Sequence, residues 1–251
     1  MARRGDRLDG TVAVVTGASS GIGEATATAL ADEGATVALL ARRRDRLEAL
    51  AGQLGERASV YEVDVSDDDA ARAAIEAVVA DHGRLDVLVN NAGYGSMQPA
   101  READLARWRQ MVDVNVHGVL AVTHAAVEHL VSAAQGPRGV ADVVTVSSVA
   151  GRKVAFPGVN VYAATKHAVG AFSEALRLEL AEHHVRVGLV EPGLVRSELT
   201  ESNGAAQDAE ASSELALMEA EDIADAITYM VTRPRRAAVN EVLIRPTEQT
   251  R

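Results

Sequence analysis

A tyrosine and a lysine stand four residues apart in NVYAATKHA, as Tyr162 and Lys166. On a helix, residues i and i+4 share a face, so this spacing sets a phenol beside an ammonium. A free phenol ionises near pH ~10, too high for ready proton exchange at neutral pH. A fixed cation favours the phenolate and lowers that pKa, which makes the pair a candidate general acid/base. The alternative is a solvated helix face with an accidental pair. Ser148, closing the run DVVTVSS, adds a hydroxyl that could donate to a carbonyl oxygen as it gains negative charge. Ser147 would point the other way if the run is a strand, because side chains alternate along strands. Asn115, in DVNVHG, falls among apolar residues of a helical stretch, where a buried amide needs partners. It could serve the chemistry or only tie the helix to a neighbouring strand.

A ligand for these groups has an evident landing place. TVAVVT runs into Thr16-Gly17-Ala18-Ser19-Ser20-Gly21-Ile22-Gly23 and on into EATATALADEG. Glycines permit a tight turn and a close approach by pyrophosphate, whose charge the free N–H groups of the helix start receive. The second apolar run ends in Leu39-Leu40-Ala41-Arg42-Arg43-Arg44. A chain that binds NAD needs an acidic side chain at this strand end for the ribose 2′-hydroxyl; Ala41 stands there instead. A guanidinium suits a 2′-phosphate, so NADP (NADPH) is the expected cofactor, with Arg42 the first candidate and Arg43 the second.

The elements that must position these residues follow from hydrophobic patterning. Short β-branched runs at 11–16, 36–41, 60–65, 86–90, 142–147, 185–192 and 241–246 read as strands, several of them apolar at nearly every position. Helical stretches lie between them, at 22–33, 44–54, 67–82, 103–130, 161–182 and near 221–232, with Ser66 the expected N-cap of the third. This alternation predicts an α/β chain: one Rossmann-type doubly wound domain over 1–251, its parallel sheet of about seven strands carrying helices on both faces. The polar, acidic stretch 196–220 follows a strand end and is the expected substrate lid.

Composition narrows the partners. The chain has 251 residues, 47% of them hydrophobic, enough for one sizeable core. Its net charge of -11 opposes nucleic acid and anionic membranes as partners. No apolar run is long enough to span a bilayer, and the basic start MARRGDRL is followed by no apolar stretch, so neither an anchor nor a signal peptide is expected. Cysteine is absent, which fits a cytoplasmic protein. The seven histidines show no helical zinc spacing, so no metal is expected.

TGASSGIG, Asn90-Asn91-Ala92-Gly93, Asn115, Ser148, Tyr162-x3-Lys166 and Pro192-Gly193 occur in one order along the chain. In this it resembles the short-chain dehydrogenase/reductase family of the compact type, about 250 residues long, over nearly its full length. The resemblance implies reversible hydride transfer between NADP(H) and a small carbonyl or alcohol substrate. Tyr162 would be the general acid/base, Lys166 would tune it and hold the nicotinamide ribose, Ser148 would polarise the substrate oxygen, and Asn115 would hold a proton-relaying water. Cofactor contacts are implied at Gly17, Ser19, Ser20, Gly21, Ile22 and Gly23 for the pyrophosphate, and at Asp64 and Val65 for adenine. Asn91, Ala92 and Gly93 would line the adenosine ribose, and Pro192, Gly193, Val195 and Ser197 the nicotinamide. Fourteen residues lie from Ser148 to Tyr162, one more than the family's common pattern, which enlarges the loop RKVAFPGVN. ALLARRRDRLEAL and the closing NEVLIRPT are similar to clavulanate-type and NADP-dependent 3-hydroxy-acid and serine dehydrogenases. Family likeness also implies a homodimer or homotetramer built through 103–130 and 161–182. Tyr94, Met97 and Phe156 are candidates to shape the substrate pocket. Two other readings stay open: a non-catalytic NADP-sensing protein, and a dehydratase or epimerase using the same residues.

Overall fold

A computed structural model describes residues 7–202 and 216–250. Seven strands form one sheet: β1 (Val12–Thr16), β2 (Thr36–Ala41), β3 (Ala58–Glu62), β4 (Val87–Asn90), β5 (Ala141–Val146), β6 (Val185–Pro192) and β7 (Glu241–Ile244). Their order is β3-β2-β1-β4-β5-β6-β7, and every pairing is parallel. β1, β4 and β5 are buried at all positions because helices cover both faces, which is why they read as unbroken apolar runs. Alternation divides the core. Ala13 and Val15 face one layer with Leu30, Leu47 and Ile227, while Val12 and Val14 face the other with Ile75, Val122, Leu130 and Leu176.

The first layer is made by α1 (Gly21–Asp32), α2 (Arg44–Leu54) and, later in the chain, α8 (Ala220–Val231). The second is made by α3 (Asp68–His82), α4 (Leu105–Val112), α5 (Gly118–Ala134) and α6 (Asn160–Leu180). A short α7 (Glu198–Ser202) follows β6. Of the expected lid at 196–220, residues 203–215 lie outside the described residues.

Three local expectations are corrected. β3 stops at Glu62 rather than at residue 65, because Asp64 accepts hydrogen bonds from the Ser66 amide (3.0 Å) and hydroxyl (2.6 Å) and turns the chain off the sheet. That engagement removes Ser66 from the capping role. Asp67 is the N-cap of α3, accepting from the Ala70 amide at 2.9 Å. The stretch expected as one helix over 103–130 is also interrupted, by a single π turn at Asp113–His117 between α4 and α5. Gly118 follows that turn, and a Cβ there would come within 2.8 Å of Val65 Cγ2, so the glycine lets α5 lie against the end of the third βα unit. Single π turns tend to occur where a helix must redirect a side chain. Asn115 lies within this turn and is its buried residue.

β1 pairs with β2 on one side and β4 on the other, so the strand order reverses at this point. Loops leaving the carboxyl ends of β1 and β4 therefore diverge and open a crevice, the usual ligand position in such sheets.

Candidate active site

The crevice is a cleft of about 510 Å³. Its floor is the turn from β1 into α1. Gly17 (φ 67°) and Gly21 (φ 54°) hold left-handed backbone that other residues adopt at a cost. A Cβ on Gly17 would also meet the Ala92 Cα at 2.9 Å. Gly23 lies beneath the turn, where a Cβ would overlap the Gly17 carbonyl and crowd the Asn91 amide. Asn91 braces this turn from below: its Nδ2 donates to the Thr16 carbonyl at 2.9 Å, and its own amide donates to Thr16 Oγ1 at 2.9 Å. The Asn91 side chain is thus bonded to the glycine turn, and Asn91, Ala92 and Gly93 all line the cleft. The start of α1, with glycines at the two positions where a Cβ would clash, forms a cradle suited to a pyrophosphate, and the residues present fit a dinucleotide.

At the β2 end, Arg43 and not Arg42 reaches this cradle. Arg43 Nε and Nη2 donate to Ser19 Oγ at 3.1 and 3.0 Å, and Nη2 donates to Ser20 Oγ at 2.7 Å. Arg42 turns to the third βα loop and pairs with Asp64 at 3.7 Å. Burial works to raise the Asp64 pKa, but the Ser66 hydrogen bonds and Arg42 together bring it below the ordinary carboxylate range. Asp64 and Val65 both border the cleft, and Asp64 is not a helix cap.

The other half of the cleft is built on β5, β6 and α6. Ser147 and Ser148 leave the end of β5 in opposite directions, as strand alternation requires. Ser147 Oγ donates to the Lys166 carbonyl at 3.2 Å and packs tightly against Gly151. Ser148 Oγ accepts from the Ala150 amide at 3.1 Å and lies 3.5 Å from the Pro192 carbonyl to which it donates. It also interacts with the Tyr162 phenol. Tyr162 is buried in α6, and burial raises its pKa above 10.0, with Ser148 pulling it partly back. Lys166, one turn later, is buried as well. Its Nζ donates to the Val146 carbonyl at 2.8 Å and stands 5.7 Å from the Tyr162 ring centre. Burial lowers its pKa to about 8. The expectation that the ammonium lowers the phenol's pKa is therefore corrected: in this protein alone, desolvation governs both groups and pushes them in opposite directions.

Asn115 stands behind the wall and not on it. Its Oδ1 accepts from the Tyr94 amide (2.7 Å), while Nδ2 donates to the Tyr94 carbonyl (2.8 Å) and to Thr165 Oγ1 (3.1 Å). Thr165 in turn donates to the Tyr162 carbonyl at 2.7 Å. The amide thus joins the π turn to the loop after β4 and to α6 beside the tyrosine. Tyr94 and Met97 pack with Trp108 against Met111, Val159 and Tyr162, an apolar wall next to the phenol, whereas Phe156 is exposed. Pro192, Gly193, Val195 and Ser197 close the cleft on the β6 side. Val195 forms a bridge with Met218, and the Ser197 hydroxyl is within 3.2 Å of Thr200 Oγ1 at the start of α7. Among the described residues no group of His, Asp or Glu could hold a metal ion.

Residues 11–208 match the short chain dehydrogenase family. The chain belongs to that family. It is an oxidoreductase of the nucleotide-binding, Rossmann-like kind. A glycine betaine reductase of Emericella nidulans is 41% identical over 251 residues, 96% of this chain; the chain spans only 19% of that much longer protein. Among solved structures, a 3-ketoacyl-(acyl-carrier-protein) reductase of Brucella melitensis complexed with NADH superposes with a TM-score of 0.86 at 30% identity, covering 95% of this chain and 98% of its own. The closed form of a serine dehydrogenase complexed with NADP+ gives 0.82 at 32% identity, covering 93% and 94%.

Within this short-chain dehydrogenase, three contributors were missed by sequence reasoning. Thr165 connects Asn115 to Tyr162. Gln249 Oε1 accepts from the Leu194 amide at 3.0 Å, and a Cβ on Gly193 would overlap it, so the glycine makes room for the C-terminal segment. Glu198 bridges Arg43 and Arg46. Only Glu198 had a signal, an acid directly after Ser197 in a segment that resemblance had already brought to the cleft.

Proposed function

We propose that this chain is an NADP(H)-dependent carbonyl reductase, or alcohol dehydrogenase in reverse, with Tyr162 as the proton donor and acceptor. One observation carries the reading: a buried phenol and a serine hydroxyl share one cleft with a glycine cradle that an arginine overhangs. The nicotinamide, when bound, supplies the hydride. The protein's own groups handle the oxygen and the proton. Ser148 donates a hydrogen bond to the substrate oxygen and stabilises the charge that gathers on it. Tyr162, kept protonated by burial, releases its proton to that oxygen. Lys166, with its pKa brought near neutrality by burial, gives up a proton readily and reloads the phenol. Asn115 keeps Tyr94 and the Tyr162 turn of α6 in fixed relation, a positioning role supported by its three hydrogen bonds.

Arg43 supports NADP over NAD. Its guanidinium, with the Ser19 and Ser20 hydroxyls, makes a donor cluster where the ribose of a bound dinucleotide would carry its 2′-phosphate, and Ala41 offers no acid to a 2′-hydroxyl. We also propose a homodimer or homotetramer: Leu105, Val112 and Leu120 on α4 and α5, and Leu178 on α6, are large apolar side chains left exposed.

The test is oxidation of NADPH and of NADH, in parallel, against a panel of aldehydes and ketones. Turnover with a preference for NADPH is expected. Equal use of both coenzymes would reject the role of Arg43. Tight NADPH binding with no turnover would favour a sensing protein, and product formation without net coenzyme consumption a dehydratase or epimerase.

A further inference from the structure

Glu198, the first residue of α7, makes contacts that the chemistry of hydride transfer does not require. Its Oε2 accepts from Arg43 Nη1 at 2.8 Å, and its Oε1 pairs with Arg46 Nη1. The remaining Arg43 donors point the opposite way, onto Ser19 and Ser20. One guanidinium therefore faces two acceptor positions: a neutral one at the glycine turn, made of hydroxyls, and one already filled by a carboxylate. Glu198 is ionised at neutral pH, because hydrogen bonds from Arg46 and then Arg43 hold its pKa below the ordinary value. α2 carries Arg46 and α7 carries Glu198, so this bridge spans the cleft mouth between the second βα unit and the segment after β6.

We infer that Glu198 is a specificity-determining residue of the cofactor site, an internal anion that competes with a 2′-phosphate for Arg43. The inference rests on the NADP reading above. A phosphate monoester carries close to two negative charges at neutral pH. Placed on the serine side of Arg43, it meets a carboxylate on the other side of the same guanidinium, and like charges sharing one cation repel. Arg46 supplies the relief, since it can keep Glu198 when Arg43 turns fully to the phosphate. The carboxylate thus moderates affinity for the phosphorylated coenzyme and leaves an unphosphorylated one nearly unaffected. It also shields Arg43 and Arg46 from unrelated anions.

Calorimetric titration with adenosine 2′,5′-bisphosphate and with 5′-AMP tests this without any turnover. The full chain would be compared with Glu198→Gln, a substitution at a half-exposed position outside the core. Glu198→Gln is expected to bind the bisphosphate about two- to fivefold more tightly, the range an exposed ion pair commands. Its affinity for 5′-AMP should change less than about twofold, and the gain should shrink in high salt. Unchanged or weaker bisphosphate binding in Glu198→Gln would overturn the inference, as would an equal gain for both ligands. If the unsubstituted chain fails to prefer the bisphosphate over 5′-AMP, the NADP reading itself falls and the inference falls with it.

Discussion

At the site of Tyr162, desolvation decides the starting state. The phenol is held protonated by burial, with Ser148 beside it, and the neighbouring ammonium is brought to about 8 by the same loss of water. The spacing in NVYAATKHA made the pairing legible, since four residues on a helix must share a face. The sign of the outcome was hidden, because burial depends on β5, β6 and the Met111–Trp108 wall closing over that face from distant parts of the chain. Lys166 gives a direct check, because Lys153 is the only other lysine. In a Lys153→Arg protein labelled with 13C-lysine, the single side-chain resonance is expected to titrate with a midpoint near 8. A midpoint in the ordinary range near 10.5 would show that the ammonium is solvated. Linkage adds a stability signature. Between about 8 and 10.5 the unfolded chain binds a proton that folded Lys166 does not, so stability should rise with pH across that window. Lys166→Met should abolish that rise in denaturant unfolding at successive pH values.

Elements place these residues, and their boundaries record where tertiary contacts override local pattern. The strands were readable because a parallel sheet covered on both faces demands unbroken β-branched runs, and the βαβ alternation then left one topology to expect. What the pattern could not give was the N-cap of α3, where Ser66 and Asp67 are equally good capping residues in isolation. Asp64 takes the serine for its own turn and leaves the aspartate to the helix. Asp67→Ala is therefore expected to lower the unfolding free energy by about 1 kcal/mol in a urea titration. Equal stability would return the capping role to another residue. The π turn at Asp113–His117 was equally invisible, since DVNVHG carries no signal distinguishing one wide turn from ordinary helix. Its cause lies in Gly118 against Val65 and in the Asn115 bonds to Tyr94, contacts made between segments far apart in sequence. Which of Arg42 and Arg43, both lining the cleft, bonds the Ser19 and Ser20 hydroxyls was hidden for a similar reason. Both leave the same strand end, and only the position of Asp64 shows which one is drawn away.

For the molecule as a whole, the cleft joins one half that can grip a dinucleotide to another that can work on an oxygen atom. Nearly all of the motif residues converge there, with Gly23 and Asn115 supporting from behind. No helix of the described residues is long and apolar enough to cross a membrane. Exposed leucines on α4, α5 and α6 predict self-association. Sedimentation should give a dimer or tetramer, and Leu178→Glu or Leu120→Glu should shift it toward monomer if its helix is buried in the interface; sedimentation of the unsubstituted chain as a monomer would refute the assembly. The central claim is that the buried phenol delivers the proton, and replacing it while leaving the cradle intact tests that most directly. Turnover of Tyr162→Phe should be measured with NADPH and the best carbonyl found for the unsubstituted chain, alongside NADPH binding by fluorescence. A fall in turnover of about 10²–10⁴-fold with binding retained is the predicted result. Turnover equal to that of the unsubstituted chain would contradict it.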